Sequence, residues 1–244
     1  MIKEIDEKKK ILDSKRPFND TCVKNLKQYF DVEFTYNSNA IEGNTLTITE
    51  TKVILEDGIT IGKGKTLKEH LEVINHKEAI DYIEDIVNKN IDINQNVIKN
   101  LHYIILKSIN NENAGKYRNV NVLISGSNHR PPEHFLVPQQ MEELITWYAK
   151  NKNKIHPIEL AAEFHHKFTF IHPFIDGNGR CGRLLMNLIL MRNGYPMTVI
   201  RMEDRNEYMA ALEKASMKNK LDDFIKIIEE AVNRSLDMYL YIIS

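Results

Sequence analysis

The chain has 244 residues, and its 33 Lys and Arg against 34 Asp and Glu give a formal net charge of −1. This balance gives no support to sequence-independent nucleic-acid binding, which depends on a basic surface. Only ten Gly and seven Pro are present, which disfavours a β-sandwich or barrel, because those folds need turn residues every ~8–12 positions. The composition therefore favours a mainly helical protein.

Cysteine usage and hydropathy indicate the compartment. Cys22 and Cys181 lie far apart and outside any C-x-x-C pattern, so neither a disulfide framework nor a cysteine zinc site is expected. Residues 1–10 lack the apolar segment of a signal peptide, and the most apolar run, 184–191, is too short to cross a bilayer. We therefore expect a cytoplasmic protein that has no membrane or nucleic-acid partner.

Hydrophobic periodicity predicts five helices in the first half of the chain. Thr47 and Glu50 form a capping box for the third, which should end at Gly58, and Asn94 is a suitable N-cap for the fifth. A polar stretch over 38–44 follows the second helix. The five helices are expected over residues 3–16, 21–36, 47–58, 65–88 and 94–109.

The second half contains the one convincing β-branched segment, residues 120–127, which Gly126 and the Pro131-Pro132 pair mark with turns. We expect it to form a short β-hairpin that projects from a helical body. No repeat or linker is visible, so one domain is expected, with N-terminal helices in 1–60 packed on a core of 61–244. Further helices are expected over 139–150, 157–170, from about 179, 205–216 and 221–241.

Residues 172–183 read His-Pro-Phe-Ile-Asp-Gly-Asn-Gly-Arg-Cys-Gly-Arg and lie between two apolar helices. Gly177 and Gly179 let backbone N–H groups turn toward an anion without obstruction by a Cβ atom. The helix that follows adds free N–H donors and the positive end of its dipole. Arg180 and Arg183 lie in its first turn, where two guanidinium groups can hold phosphate oxygens.

Two further residues of this segment suit chemistry on a phosphate. Asp176 supplies a carboxylate for Mg²⁺ held jointly with phosphates, and His172 is a base whose unperturbed pKa lies near neutrality. Each residue alone has an ordinary explanation as a turn or a surface ion pair. Their conjunction favours a nucleoside triphosphate site with a general base. Anion binding does not explain Gly182, for which close helix packing is expected.

The same segment matches the Fic signature H-P-F-x-[D/E]-G-N-G-R-x-x-R at every fixed position, so the chain resembles the Fic family. Residues 115–118 and 120–132 are similar to the family's flap region, and 184–188 with 194–196 are similar to the part after the loop. The resemblance covers about residues 35–240. It implies an all-α Fic fold with a small β-hairpin flap, and transfer of AMP from ATP to a protein hydroxyl.

The resemblance also implies a role for each site residue. His172 would deprotonate a Ser, Thr or Tyr hydroxyl of the target protein, and Asp176 would hold Mg²⁺ or Mn²⁺ between the α- and β-phosphates. Tyr208 is a weaker candidate for the adenine pocket, since an aromatic residue at this helical position is also typical of a core. The implied nucleotide-binding residues are Asp176, Gly177, Asn178, Gly179, Arg180, Cys181, Gly182, Arg183 and Tyr208.

The flap would pair with an extended segment of the target protein by β-augmentation. The family resemblance further implies ATP as a substrate, modification of the chain by itself, and a homodimer. The implied target-binding residues are Leu123, Ile124, Ser125, Gly126 and Ser127.

A second motif lies upstream of the loop. Ser38-x-x-x-Glu42-Gly43 matches the family's inhibitory motif [S/T]-x-x-x-E-[G/N] in its N-terminal arrangement. The resemblance implies that Glu42 pairs with Arg183 and blocks the γ-phosphate, so that ATP binds unproductively. In some relatives this Glu also positions water for the removal of AMP, which adds deAMPylation to the expected activities.

Two other functions remain open. A metal hydrolase could use His165, His166 and His172, because the first and last lie two helical turns apart. However, Pro173 disturbs that spacing and no carboxylate completes a ligand set, so His165 and His166 are expected to be core and surface residues. The other possibility is a module that only binds, against which the intact His172 and the lack of room for a DNA-binding tail argue.

Overall fold

The computed structural model describes residues 1–62 and 64–243 of the chain. In these residues the secondary structure consists of ten α-helices and two short 3₁₀ helices, His134–Leu136 and Met202–Asp204, and it contains no strand. The α-helices are Ile2–Ser14 (α1), Asp20–Ile41 (α2), Ile48–Asp57 (α3), Leu67–Asn88 (α4), Gln95–Leu106 (α5), Val137–Asn151 (α6), Pro157–Ile171 (α7), Asn178–Arg192 (α8), Arg205–Lys218 (α9) and Asp222–Ile243 (α10).

Helix α8 lies at the centre of the fold. Every residue over 180–190 is buried, and the helix packs against α2, α4, α5 and α7. Buried side chains of α1, α2 and α10 join the same hydrophobic core. A helix that is covered on all sides can hold polar groups at its N-terminus in a fixed position relative to its neighbours.

Gly182 allows α7 and α8 to approach closely, as expected from the sequence. A Cβ atom on Gly182 would lie 2.7 Å from Nδ1 of His165 and 3.1 Å from Cγ2 of Thr169. His165 is a core residue, as predicted, and its Nε2 lies 2.8 Å from the hydroxyl of Tyr208. The prediction that His166 lies at the surface is wrong: it is 7% exposed and packs toward α9, where its Nε2 lies 3.3 Å from Oγ of Ser216.

The helices predicted from periodicity are present, and so are their caps. Thr47 and Glu50 form the predicted capping box of α3, and Gly58 ends this helix in the left-handed conformation with φ 66°. Asn94 caps α5 through two backbone N–H groups. The predicted boundary between residues 60 and 61 stays a prediction. No helix in the described ranges is both long enough and apolar enough to span a membrane.

Helix α2 is longer than predicted. It continues through the polar stretch as far as Ile41, five residues beyond the predicted end at residue 36, because tertiary contacts satisfy the polar side chains. Asn37 accepts a hydrogen bond from the backbone N–H of Met202 at 2.8 Å, and Asn39 donates to the carbonyl of Glu72 on α4 at 3.3 Å. The side chains that would favour a turn in isolation are thus bonded within the fold.

The predicted β-hairpin over 120–127 is wrong, since this segment contains no strand. It is an irregular connection with a turn in which the backbone N–H of Ser127 donates to the carbonyl of Ile124 at 3.2 Å. Side chains of the helical body hold it: Glu213 on α9 accepts from the hydroxyl of Ser127 and from the backbone N–H of Asn128. We call residues 120–132 the flap segment.

Candidate active site

The segment between α7 and α8 forms a tight loop whose two ends have left-handed backbone conformations. His172 ends α7 with φ 50°, and Gly177 is the N-cap of α8 with φ 78°. The N-cap residue Gly177 has no side chain that could accept a hydrogen bond from the first N–H groups of α8. The first N–H groups of α8 and the positive end of its dipole therefore lie at the loop without a side-chain cap, and the binding of an anion there stays a prediction.

Two side chains fix the shape of the loop from behind. Asn178 is 2% exposed; its Oδ1 accepts from the N–H of Phe174 at 3.0 Å and its Nδ2 donates to the carbonyl of Phe174 at 2.8 Å. His102 on α5 stacks on the Phe174 ring at a centroid distance of 3.6 Å. The side chain of Asn178 therefore holds the loop closed, and the binding of a nucleotide by this residue stays a prediction.

His102 was not identified from the sequence. Its Nδ1 accepts from the N–H of Gly115 at 2.9 Å, which leaves Nε2 to donate to the carbonyl of Asp176 at 3.0 Å. Burial lowers the pKa of His102 to about 4, so the ring is neutral and keeps this tautomer near pH 7. A lone histidine 74 positions before its partner leaves no local pattern by which it could be found.

His172 is held as a neutral base. Burial lowers its pKa to about 4, and the positive charge of Arg118 acts in the same direction. Nδ1 is buried without a hydrogen-bond partner in the part of the chain that the structure describes. The backbone carbonyl of His172 accepts from Nε of Arg118 at 2.9 Å. A neutral imidazole with a fixed backbone can accept a proton from a hydroxyl group.

Asp176 places a carboxylate at the edge of the loop. Its side chain is 49% exposed and lies 3.5 Å from Nη2 of Arg180, and its Oδ1 accepts from the N–H of Gly177 at 2.6 Å. One accessible carboxylate beside an anion site fits Mg²⁺ or Mn²⁺, which take few protein ligands when phosphates supply the rest. The described residues contain no cluster of three or more His, Cys, Asp or Glu that could hold a metal by itself.

Arg183 lies in the first turns of α8 and is 1% exposed. Its Nη2 contacts Oε1 of Glu42 at 2.8 Å, which is the contact predicted from the upstream motif. Nε donates to the hydroxyl of Ser38 at 3.0 Å, and Nη2 donates to the carbonyl of Ser38 at 2.8 Å. Although burial alone would lower it, the Glu42 carboxylate and the Tyr208 hydroxyl raise the pKa of Arg183.

The end of α2 determines where the Glu42 carboxylate lies. Glu42 is the C-cap of α2, and Gly43 follows with φ 97°. Hydrogen bonds from the N–H of Gly43 to Ala40 and from the N–H of Asn44 to Asn39 complete a Schellman motif. A Cβ atom on Gly179 would overlap Oε1 of Glu42, so the carboxylate lies directly against the first turn of α8.

Comparisons with known proteins support the family resemblance that the motif of residues 172–183 indicates. The Fic/DOC family model matches residues 92–190. A protein adenylyltransferase Fic from Nematostella vectensis is 37% identical over 242 residues, which is 98% of this chain and 56% of that protein. The Drosophila melanogaster protein of the same name is 32% identical over 249 residues, with 99% and 50% covered. The chain spans about half the length of the curated relatives it matches.

Solved structures of Fic-domain proteins have the same fold as this chain over nearly its whole length. A Fic-domain-containing signaling protein from Bacteroides thetaiotaomicron superposes with a TM-score of 0.88 at 32% identity, covering 99% of this chain and 97% of the other. The chain belongs to the Fic/DOC family. A Fic-1 fragment from C. elegans superposes with a TM-score of 0.87 at 30% identity, covering 97% of this chain and 71% of that one.

Arg180 is the other arginine of residues 172–183, which we call the Fic loop, and its ion-pair partner was not predicted from the motif. Arg180 is 2% exposed, and its Nη1 lies 3.3 Å from Oε1 of Glu72 on α4. Glu72 also accepts from the side chain of Asn44 at 2.9 Å. Each buried arginine of the Fic loop is therefore paired with a carboxylate from outside it, and both carboxylates lie close to the end of α2.

The remaining predicted residues of the Fic loop lie behind the site. Cys181 is fully buried, which raises the pKa of its thiol to about 12, and Gly182 faces α7. Tyr208 is 1% exposed; its hydroxyl lies 3.4 Å from Nη1 of Arg183. Its position supports Arg183 from the core, and a contact of Tyr208 with adenine stays a prediction.

Proposed function

We propose that this chain is a protein adenylyltransferase that transfers AMP from ATP to Ser, Thr or Tyr hydroxyls of proteins and is restrained by Glu42. The position of the Glu42 carboxylate carries this proposal. A negatively charged group of the chain itself pairs with Arg183 and lies against Gly179. A site that attracts a carboxylate through a helix N-terminus and buried arginines also suits the phosphates of a nucleotide.

In the proposed reaction, the target hydroxyl oxygen attacks the α-phosphorus of ATP and its proton passes to the neutral imidazole of His172. The bond between the α-phosphorus and the oxygen that bridges to the β-phosphate breaks, and pyrophosphate leaves. The free N–H groups in the first turn of α8, including that of Gly179, and the side chains of Arg180 and Arg183 bind the phosphate charge. A Mg²⁺ or Mn²⁺ ion held by Asp176 would neutralise further charge on the phosphates.

Restraint follows from competition for one arginine. While Glu42 pairs with Arg183, the γ-phosphate cannot use the same guanidinium group, so ATP binds with its α-phosphate misplaced. Since phosphoryl-type transfer depends on positioning, a small displacement of the α-phosphate is enough to suppress it. We also propose self-modification, target docking on the flap segment, a homodimer, a cytoplasmic location, and removal of AMP as a further activity of the Glu42 site.

The test is incubation with ATP labelled with ³²P at the α-phosphate, followed by measurement of label on protein. Glu42→Gly and the nearly isosteric Glu42→Gln should raise labelling at least about tenfold, since both remove the competing charge. Adding His172→Ala to the Glu42→Gly variant should abolish labelling while ATP binding persists. Equal labelling of the wild type and both Glu42 variants would contradict restraint by Glu42.

The same experiment separates the alternative functions. Label on protein supports AMP transfer, whereas release of phosphate or AMP without protein labelling supports a hydrolase. Binding of ATP with neither outcome supports a module that only binds. Mass spectrometry of a lysate treated with the Glu42→Gly variant would identify the modified proteins and side chains.

A further inference from the structure

Arg118 lies buried between the flap segment and the start of the Fic loop at His172. It is 3% exposed, and each of its described side-chain hydrogen bonds goes to a backbone carbonyl. Nε donates to His172 at 2.9 Å and Nη1 to Val120 at 3.0 Å, while Nη2 donates to Pro132. Arg118 also donates its own backbone N–H to the carbonyl of Pro173 at 2.9 Å.

These bonds hold the backbone on both sides of the His172–Pro173 peptide. His172 has φ 50°, a left-handed conformation that is unfavourable for a residue with a side chain and persists only where neighbours enforce it. A charged donor bonded to the His172 carbonyl, together with a second bond to the Pro173 carbonyl, supplies that enforcement. The direction of the His172 imidazole therefore depends on Arg118.

The same guanidinium group joins the two ends of the flap segment. Val120 lies at its start and Pro132 at its end, so one planar side chain links both ends to the carbonyl of His172. The tip of the flap is held separately, by Glu213 on α9. Because a guanidinium group has a rigid fork of donors, it fixes the spacing between the flap base and the loop.

The charge of Arg118 also acts on His172. Among the described residues no carboxylate forms an ion pair with it, and burial lowers its own pKa. The other charged or titratable groups that affect His172 are Glu42 and His129. An unneutralised cation beside the imidazole favours its uncharged form, which is the form that accepts a proton.

We propose that Arg118 is a positioning residue that fixes the His172 base relative to the flap segment on which the target hydroxyl is presented. This inference rests on the proposed adenylyltransferase function. Arg118 contacts neither the phosphate-binding residues nor Asp176 in the described hydrogen bonds, so it acts on the alignment of base and target rather than on the binding of ATP.

The test compares Arg118→Lys, Arg118→Gln and Arg118→Ala in the Glu42→Gly background. For self-labelling, kcat should fall about 10–100-fold in the Gln and Ala variants, since a displacement of about 1 Å can cost that much. KM for ATP should stay within about twofold. Added guanidinium ion should partly restore the activity of Arg118→Ala. Arg118→Lys should lose less activity than Arg118→Gln because it keeps the positive charge.

An NMR titration of the His172 ring, assigned by its loss in His172→Ala, tests the positioning independently of activity. In Arg118→Gln the His172 pKa should rise toward its ordinary value, with a smaller rise in Arg118→Lys. Glu213→Gln loosens only the flap tip and should leave this pKa at the parental value. Arg192→Gln serves as the control for kcat, because Arg192 also donates to a backbone carbonyl, that of Ile91, at an exposed site.

A kcat for Arg118→Gln equal to that of its parent would overturn the proposal. The proposal would also be overturned if activity fell only in proportion to the loss of folded protein while the His172 titration stayed unchanged. If the Glu42→Gly parent labels nothing, the adenylyltransferase proposal fails, and the titration still decides whether Arg118 controls the state of His172.

Discussion

At the scale of single residues, the absence of a side chain at Gly182 lets α7 and α8 pack closely. An Ala in a helix interior is normally favoured over Gly by about 1 kcal/mol, but here its Cβ would lie 2.7 Å from the buried His165 ring. Overpacking of this kind costs about 1–3 kcal/mol. We therefore expect Gly182→Ala to lower the free energy of unfolding, as measured by urea titration followed by circular dichroism.

Gly62 provides the matched control for this prediction. A Cβ atom at Gly62 would meet no atom within 4 Å, so Gly62→Ala should leave the stability unchanged or raise it slightly through the unfolded state. A Gly182→Ala variant as stable as the wild type would mean that His165 can move aside at no cost. The contact between α7 and α8 at Gly182 would then be less tight than the 2.7 Å distance indicates.

Individual site residues were predictable where a contiguous motif carried them. The loop 172–183 and the contact between Glu42 and Arg183 followed from two short patterns. His102, Glu72 and Arg118 were not predicted, because each supports the loop from another helix or connection. Their contacts exist only once the chain has folded, and a lone His, Glu or Arg in a sequence has no pattern that indicates such a contact.

At the scale of elements, the end of α2 is the part of the molecule that links the fold to the proposed restraint. Arg205, at the start of α9, donates from Nε to the carbonyl of Ile41 at 2.8 Å, one residue before Glu42. Since the last carbonyls of a helix have no partner within it, this bond stabilises the end of α2. It also fixes the turn that directs Glu42 toward Arg183.

From this contact we predict partial activation by Arg205→Gln. Losing the bond should loosen the end of α2, so that Glu42 leaves Arg183 more often and self-labelling lies between those of the wild type and Glu42→Gly. In the Glu42→Gly background the same change should add nothing, because the restraint is already gone. Such non-additivity is expected of residues that act through one contact.

The control for Arg205→Gln is Lys214→Gln, also on α9, which removes an exposed ion pair with Asp223 at the start of α10 and should leave labelling unchanged. Additive activation by Arg205→Gln in the Glu42→Gly background would show that Arg205 acts on another part of the site, and would contradict the role of the α2 end.

Element prediction succeeded for helices and failed for the flap segment, for a physical reason. Helix periodicity and caps are local, so α3 and α5 could be located from their own residues. The β-branched residues over 120–127 favour extended backbone, but the chain there forms no strand. A hairpin also needs cross-strand partners, and here the side chains of Arg118 and Glu213 supply the hydrogen bonds instead.

At the scale of the whole molecule, the fold buries an unusual set of neutral histidines around α7 and α8. Burial lowers the pKa of His102, His166 and His172 to about 4 and that of His165 to about 3. Burial also lowers the pKa of His76 well below its ordinary value. In the unfolded chain these side chains titrate near pH 6.5, so below that pH the unfolded state binds more protons than the folded one.

Stability is therefore expected to be fully present above about pH 6.5 and to fall as the pH is lowered from there toward 4, where the folded protein begins to take up protons itself. Each histidine whose pKa falls to about 4 or about 3 costs about 1.4 kcal/mol of stability by pH 5.5, one unit below its unfolded pKa. Four such histidines together lose an amount of the same order as the ~5–15 kcal/mol that stabilises a typical domain, and His76 acts in the same direction. The protein should thus lose its fold at only mildly acidic pH.

Urea unfolding at pH 7.5, 6.5 and 5.5, followed by circular dichroism, tests this expectation. The midpoint should fall moderately between pH 7.5 and 6.5 and about three times as much between pH 6.5 and 5.5. His166→Gln, which keeps a side chain able to reach Ser216, should reduce the loss between pH 6.5 and 5.5 by about 1 kcal/mol, because one proton-binding site is removed from the unfolded chain. A midpoint that stays constant down to pH 5.5 would mean that these histidines bind protons equally in the folded and the unfolded chain, so that the fold does not hold them neutral below their ordinary pKa.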